Sequence, residues 1–437
     1  MIKRIVCNFL VGIYIALLFC GCTLDHEKTD DVLVSAQNEG KTIVKVATLF
    51  DRGFDKIRFV VDAFNAEQDE IYLHLVSFNP PEGAENADDC LNRAYASFLT
   101  DPPDLYDLFS FNAWKLRNGG LIRDWYPIME ADPMFSFEEY RADIWEKFEI
   151  EGKLYHLCTS FRLHGIGGDL ALYGSQVGWT TEEFQTFLSE HSDSIGTTQN
   201  EMLRSCLWYG TPIEFVDFDN NTCEFQSRAF LDWLAFLKSL PKQTTLEKVK
   251  SAEISSVSMH LLKYQSDGYY SRVVGLPSQN RHGPAITVGD SFGLSATTKV
   301  ADACWSFIKW LLTYETQEAR YTDNDLPIRV DVFERLLQRA SLGAENPDAL
   351  FPGLSVQIVN GEPQTGYRPG MPEEEIDYLR DIVENADWVA WGFCDYEDII
   401  SIVEEEALAY LAGDRSAEEC AKIVQSRVSM LLAERQD

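Results

Sequence analysis

Three short-chain polar residues stand where β-rich runs of the sequence stop. The runs end at Phe50-Asp51, at Ser110-Phe111-Asn112 and at Gly289-Asp290-Ser291, with Trp114 just behind the second, and a fourth run ends at Asn79. In an open parallel sheet, ligands bind beyond the carboxyl ends of the strands. Asp51, Asn112 and Asp290 would then face one crevice. Asp and Asn hold hydroxyl groups in fixed directions, and a flat ring such as that of Trp114 covers a weakly apolar C–H face. The combination suits non-covalent capture of a polyhydroxylated solute. Phe161, Arg162, Trp208 and Tyr209 are the candidate partners from the other side of such a crevice, and Trp391 interrupts the C-terminal helical region. Arg162 could grip vicinal hydroxyls or an acidic group with both arms of its guanidinium.

Each candidate has a structural alternative that the sequence leaves open. The chain holds ten Trp, eighteen Tyr and twenty-six Phe, so core packing competes with ligand stacking for every aromatic. Asp51 and Asp290 suit helix or turn caps equally well. Arg162 is equally suited to an ion pair between lobes. Covalent chemistry has less to recommend it. There is no H-E-x-x-H, phosphate-binding loop or dinucleotide fingerprint. The seven His do not group at metal-ligand spacing, so no metal and no cofactor are expected. Seventy acidic residues leave a glycosidase-like carboxylate pair open as an alternative.

The elements that would position these residues follow from periodicity. Ile43–Leu49, Ile71–Phe78 and Leu105–Phe109 read as strands; Phe54, Ile57, Val61 and Phe64 mark one helix and residues 86–99 a second. A β-α-β-α-β order implies a covered parallel sheet. Residues 137–150 read as helix and 153–158 as extended. Thr180 and Glu183 make a capping box for a helix bearing Phe184, Phe187 and Leu188. Ser227–Leu240 is a strongly apolar helix, and Val273–Leu276 a strand. Ala285–Val288 and Phe292–Ala296 read as two strands around a glycine turn, followed by a helix with Ala301, Trp305, Ile308 and Leu312 on one stripe. A strand pair this late suggests a chain re-entering a lobe it had left. From Leu326 onward the pattern is largely helical.

Composition narrows the partners. A length of 437 residues points to two or three domains. Thirty-seven Lys+Arg against seventy Asp+Glu give a net charge of −33 without basic clusters, which argues against nucleic acid. Membrane contact would need an anchor. Lys3 and Arg4 precede an apolar stretch, Ile5–Phe19, of signal-peptide length, and Gly21 stands directly before Cys22. Residues 23–40 are polar and read as a tether. The cysteines show no C-x-x-C pair, so neither a zinc site nor a disulfide framework is indicated; a Cys206–Cys223 bridge stays open.

Several stretches resemble the extracellular solute-binding proteins of ABC importers, in particular the carbohydrate-binding group (family 1). Val274-Gly275-Leu276-Pro277-Ser278 is similar to a "G-x-P" strand. Residues 305–311 are similar to a "W-x-F-I-K-W-L" helix and 315–317 to the "E-x-Q" after it. Residues 151–158 resemble a "D-G-K-x-Y-x-x-P" strand, whereas the family's "Y-Y-N-K" is replaced by Gly167-Gly168-Asp169-Leu170. Ile402–Glu434 resembles the family's C-terminal helices. Gly21-Cys22 resembles the bacterial lipobox, in which the signal is cut before the cysteine and the thiol carries the lipid.

The resemblance implies a two-lobed α/β fold of the periplasmic-binding-protein type II class with a ligand cleft between lobes. It implies a signal peptide over 1–21, a tether over 22–41, one lobe from 42–155 with 286–325, and a second from 156–285 with 326–437. It implies a lipoprotein on the outer face of the bacterial cytoplasmic membrane that captures a sugar or oligosaccharide and delivers it to ABC permease subunits, with no catalysis. A surface glycan hydrolase and a binding protein for a peptide or other polar solute are the alternatives.

Overall fold

The computed structural model describes residues 39–434 apart from segments 50–53, 79–86, 170–175, 192–195, 218–219, 244–249, 268–270, 322–324, 360–361 and 390–396. Asp51, Trp391, Cys22 and the leader and most of the tether read from the sequence lie outside the described residues.

Among the described residues, twelve strands build the two larger sheets. The chain lays down β1 (Thr42–Leu49), β2 (Ile71–Phe78), β3 (Leu105–Asp107), β4 (Ile122–Arg123) and β5 (Leu157–Cys158). It continues through β6 (Ser160–Asp169), β7 (Lys250–Ile254), β8 (Ser271–Val274) and β9 (Ala285–Val288), and then β10 (Ser291–Ser295), β11 (Leu326–Pro327) and β12 (Trp388–Val389). The first sheet has the order β2-β1-β3-β10-β4, with β5 also on β10; the second has the order β7-β6-β9-β12, with β8 and β11 also on β6. The β-α-β-α-β reading of residues 43–109 holds. β1 pairs with β2 and β3 in parallel, Val46 lying opposite Leu75 and Leu105. The helix Phe54–Glu67 buries Ile57, Val60, Val61 and Phe64, the apolar spacing that a helix on a sheet requires.

The second sheet is organised by the ten-residue strand β6. Its pairings are antiparallel with β7, β8, β9 and β11. β10 is antiparallel to β3 and β4, so the first sheet is mixed.

The chain passes between the sheets at Thr159, where β5 gives way to β6, and at Gly289-Asp290, where β9 gives way to β10. After the helix Tyr314–Tyr321 it returns to the second sheet as β11. These exchange points correct the boundaries expected from sequence. Residues 157–158 pair in the first sheet and 285–288 in the second. The glycine turn at 289 is therefore a crossover between sheets, and not a turn within one. Periodicity alone did not show this, because all four residues of β9 are buried and such strands carry no alternation to orient them.

One core joins the two sheets. It contains Val46, Leu105 and Leu294 from the first, Phe161, Leu163 and Ile286 from the second, and Leu336, Leu337 and Leu379 from helices over them. Two buried tryptophans tie crossover strands by their indole N–H groups: Trp125 donates to the Phe292 carbonyl at 3.0 Å, and Trp145 to the Cys158 carbonyl at 2.8 Å. A second core, with Phe184, Phe230 and Trp233 against Val403, Val424 and Val428, unites the helices of residues 181–239 with the C-terminal pair. The Thr180–Glu183 capping box is present in both directions.

One local expectation fails. Residues 137–150 are a 3₁₀ turn, a short helix (Ala142–Glu146) and a strand, because Glu151 and Gly152, with φ of 54° and 70°, turn Glu149–Ile150 back on Lys153–Leu154. The largely helical C-terminal part also holds a hairpin, Leu354–Val359 with Glu362–Tyr367. Cys206 and Cys223 are both free thiols. Among the described residues no helix is long and apolar enough to cross a membrane.

Gly289 is where close approach demands glycine. Its N–H donates to the Ser160 carbonyl at 2.9 Å, and a Cβ there would run into Ser160 Oγ and come within 2.6 Å of Asp325 Oδ2. Gly289→Ala should therefore lower unfolding stability by about 1–3 kcal/mol. Gly366→Ala, where a Cβ meets nothing within 4 Å, should stay within about 0.5 kcal/mol of the parent. Urea denaturation of both variants checks this.

Candidate functional site

A cleft of about 370 Å³ opens beside the crossovers and takes its walls from both sheets. On the first sheet, β3 stops at Asp107 because that carboxylate folds the next residues into a turn. Asp107 accepts from the Phe109 N–H at 3.0 Å and the Ser110 hydroxyl at 2.7 Å, while its carbonyl accepts from the Ser110 and Phe111 amides. The turn leaves Phe109 45% exposed at the cleft. The Thr48 hydroxyl donates to the same carboxylate from β1 at 2.8 Å. Ile57, Phe292, Gly289 and Asp290 complete this side.

The second sheet contributes one face of β6. Arg162 and His164, two residues apart, both line the cleft, whereas Phe161 and Leu163 between and beside them are fully buried. This is the alternation of a strand. Cross-strand neighbours extend the face: Thr287 lies opposite Arg162, and Glu253 opposite His164. Above it, the helix Gln199–Trp208 ends at the cleft, with Trp208 53% exposed and Tyr209 beside it. Gly210, at φ 92°, stops the helix there.

The charged groups are tied together. Arg162 Nε donates to Asp325 Oδ1 at 2.5 Å, and its Nη1 lies 3.8 Å from Glu253. The Asp325 side chain is fully buried and also accepts from the Ser160 hydroxyl at 3.2 Å. Arg320 donates to Asp290 at 2.8 Å. Burial pulls the Arg162 guanidinium down, but the charges of Asp325, Glu253 and Asp290 outweigh it and hold it above its ordinary value. Burial pushes the Asp107 carboxyl up, against the hydrogen bonds it accepts. Burial and then the Glu253 charge push the Tyr209 hydroxyl up to about 12. Among the described residues there is no group of three or more His, Cys, Asp or Glu that would hold a metal ion.

The aromatic wall is braced from behind. The His164 ring stacks on Tyr209 at 4.6 Å and 22°, and its Nε2 lies 3.2 Å from Glu253. The Tyr209 carbonyl accepts from Trp388 Nε1 at 2.8 Å. The Trp388 ring stacks on His282 at 4.2 Å, and His282 sits between Glu214 at 3.2 Å and Asp387 at 3.3 Å.

Of the residues selected from sequence, Arg162, Trp208 and Asp290 meet in this cleft, together with Tyr209. Phe161 does not: strand parity turns it into the core, and its neighbour Arg162 faces the cleft. Asn112 is not among the described residues lining the cleft. Its side-chain oxygen caps the helix Ala113–Asn118 by accepting from the Trp114 and Lys115 amides. Trp114 is half-buried in that helix and also lies outside the lining. Asp107, Phe109, His164 and Glu253 were missed. His164 had a signal, since it shares a face with Arg162. Asp107 and Phe109 were hidden by placing the end of β3 two residues too late.

His282 makes the support of this wall pH-dependent. Burial alone would lower its pKa, but hydrogen bonds and charge from Asp387 and Glu214 raise it to about 9 from 6.5. A base whose folded pKa is raised stabilises fully below the unfolded value and loses that contribution as pH climbs through the folded one. His282→Gln should therefore cost about 1–2 kcal/mol at pH 6, discounted because Asp387 is half-exposed. The gap from the parent should close between pH 7 and pH 10. Melting temperature against pH for both proteins is the check.

By sequence, no family model matches the chain, and no curated protein matches it. The fold has many counterparts among solved structures. The sugar-binding protein MalE from the phytopathogen Xanthomonas citri superposes with a TM-score of 0.60 at 17% identity, over 90% of this chain and 98% of that one. An ABC substrate-binding protein from Listeria monocytogenes in complex with cycloalternan gives 0.58 at 12%, over 90% and 99%. The cyclic alpha-maltosyl-1,6-maltose binding protein from Arthrobacter globiformis gives 0.57 at 17%, over 90% and 100%. At these identities the likeness is one of fold, and on that ground the chain has the two-lobed α/β architecture of the solute-binding proteins of ABC transporters.

Proposed function

We propose that this protein is the solute receptor of an ABC importer and captures a sugar or oligosaccharide between its lobes. One observation carries the reading: an exposed ring from each side, Phe109 and Trp208, flanks a cleft whose floor is carboxylate, guanidinium and hydroxyl. Rings of this kind cover the C–H faces of a sugar, and polar groups with fixed directions select its hydroxyls. The architecture supports it, because the counterparts above are described as sugar-binding or substrate-binding proteins. We take the first lobe to be the sheet of β1–β5 and β10 with its helices and the second to be the remainder, exchanging at Thr159 and Gly289-Asp290. The lobes close on the solute by hinge motion, and the closed form is what permease subunits recognise. Capture needs no covalent step, so the reading is a receptor and not a hydrolase.

We further infer that the receptor is tethered to the membrane. Ile5–Phe19 and Gly21-Cys22 support a cleaved leader with lipid on Cys22, and the following polar residues a tether at the outer face of the membrane.

A thermal-shift screen against mono- and oligosaccharides tests the reading. At least one saccharide should raise the melting temperature with the logarithm of its concentration and be recovered intact. Trp208→Ala and Phe109→Ala should each weaken its binding about tenfold or more, with melting temperatures of the free proteins near the parent's because both rings are exposed. Failure of every saccharide to bind, or recovery of a cleaved product, overturns the reading.

A further inference from the structure

The exposed ring of Trp208 is carried by a turn that is anchored outside the cleft lining. Trp208 ends its helix, and the chain runs on through Tyr209 and Gly210 into a 3₁₀ turn, Thr211–Phe215. Two ties hold this stretch. The Tyr209 carbonyl accepts from Trp388 Nε1 at the start of β12. Glu214, whose side chain is buried, accepts from the Gln279 and Asn280 amides at 2.8 and 3.1 Å.

His282 joins the two ties. Its ring stacks on Trp388 at 4.2 Å, its Nε2 lies 3.2 Å from Glu214, and its Nδ1 lies 3.3 Å from Asp387, the residue before Trp388. The Asp387 carboxylate also accepts from the Gly283 amide at 3.1 Å. The neighbouring cation Arg281 is paired with Glu183 on the helix Thr181–Glu190. An imidazole donates from both nitrogens only when it is protonated. The bridge from the 3₁₀ turn to β12 is therefore complete only in the imidazolium form.

We propose that His282 is a positioning residue for solute capture: by joining Glu214 to Asp387 and covering Trp388, it fixes the turn that presents Trp208 to the sugar. This rests on the receptor reading above and adds a control on its affinity. A platform that is already ordered binds without the cost of ordering it. The two acids raise the His282 pKa to about 9. Affinity is full at neutral pH, where the ring is charged, and declines as pH climbs through that value, because one of the two acids then loses its donor.

The test is titration calorimetry on the purified full chain from about pH 7 to pH 10, with glucose, maltose, maltotriose, cellobiose and chitobiose as probes. The tightest binder among them should lose about three- to tenfold in affinity with His282→Gln at pH 7. The parent should lose a similar factor between pH 7 and pH 10. His282→Arg keeps a planar cation over Trp388 with donors for both acids. It should bind like the parent at pH 7 and show a flat profile. His164, Glu253 and Tyr209 of the cleft lining are the same in both proteins, so the difference between their profiles isolates position 282. Trp388→Phe removes the N–H donated to the Tyr209 carbonyl. It should weaken binding by a similar factor, and it supplies the readout where His282→Gln fails to fold. Unchanged affinity in His282→Gln or Trp388→Phe, or the same alkaline decline in the parent and His282→Arg, overturns the positioning role while leaving a sugar receptor in place. No saccharide binding by the parent removes the receptor reading and this proposal with it.

Discussion

A buried carboxylate at the meeting point of the crossovers is the constraint on which the two-lobed shape depends. Asp325 accepts from Arg162 on β6 and from Ser160 at its first residue, and it lies against Gly289 in the β9–β10 crossover. A charge taken out of water is tolerated only when its lone pairs are filled by good donors, and removing one partner of such a pair typically costs about 3–5 kcal/mol. Gln317 does parallel work with a neutral side chain. Its amide N–H groups donate to the carbonyls of Thr159 and Leu311, and its oxygen accepts from the amides of Ile328 and Arg329. Two side chains thus knit the three places where the chain changes sheet. The sheets cannot slide apart without opening these bonds, and the connections between β5 and β6 and between β9 and β10 are only one or two residues long.

The same knot explains why glycine occupies position 289. The second crossover must pass close enough to Ser160 for a backbone hydrogen bond, and the space a Cβ would occupy is filled by the groups that hold Asp325. A glycine turn between two apolar runs is legible in the sequence. That it joins two sheets is not, because the information lies in Asp325 and Ser160, well over thirty and a hundred residues away along the chain.

The legibility of the rest follows the same division between local and distant causes. The parallel arrangement of β1, β2 and β3, the helix over them and the Thr180–Glu183 cap were readable because each is set by spacing within a few residues. The hairpin at Glu151-Gly152 broke an expected helix because turn chemistry outranked a weak apolar period. In the cleft, parity decided the outcome. A strand changes face at every residue, so choosing Phe161 and Arg162 together guaranteed that one of them was core. Applying the two-residue period from Arg162 would have found His164, and the register then brings in Glu253 without further evidence. Asn112 behaved as its residue type allows anywhere, as a cap. Asp107 was legible in part: an Asp that turns the chain after a strand is a local signal, whereas Thr48 reaching across from β1 is not.

Arg162 and Asp290 belong to the knot and to the cleft lining at once. On the proposed receptor reading, a solute that touches them acts on the groups that join the two sheets, and needs no separate relay to do so. A two-state opening responds only to the difference in a ligand's affinity for the two states. Contacts made on one lobe alone are the same in both states and shift nothing. Phe109 and Asp107 stand on the side of the first sheet and Trp208, His164 and Glu253 on that of the second, so on the proposed receptor reading a solute engages residues of both. The aromatic wall braced by Trp388 and His282 forms one side of the cleft. The Asp107 turn is the other side, and the ion pairs of Arg162 with Asp325 and of Arg320 with Asp290 lie between them.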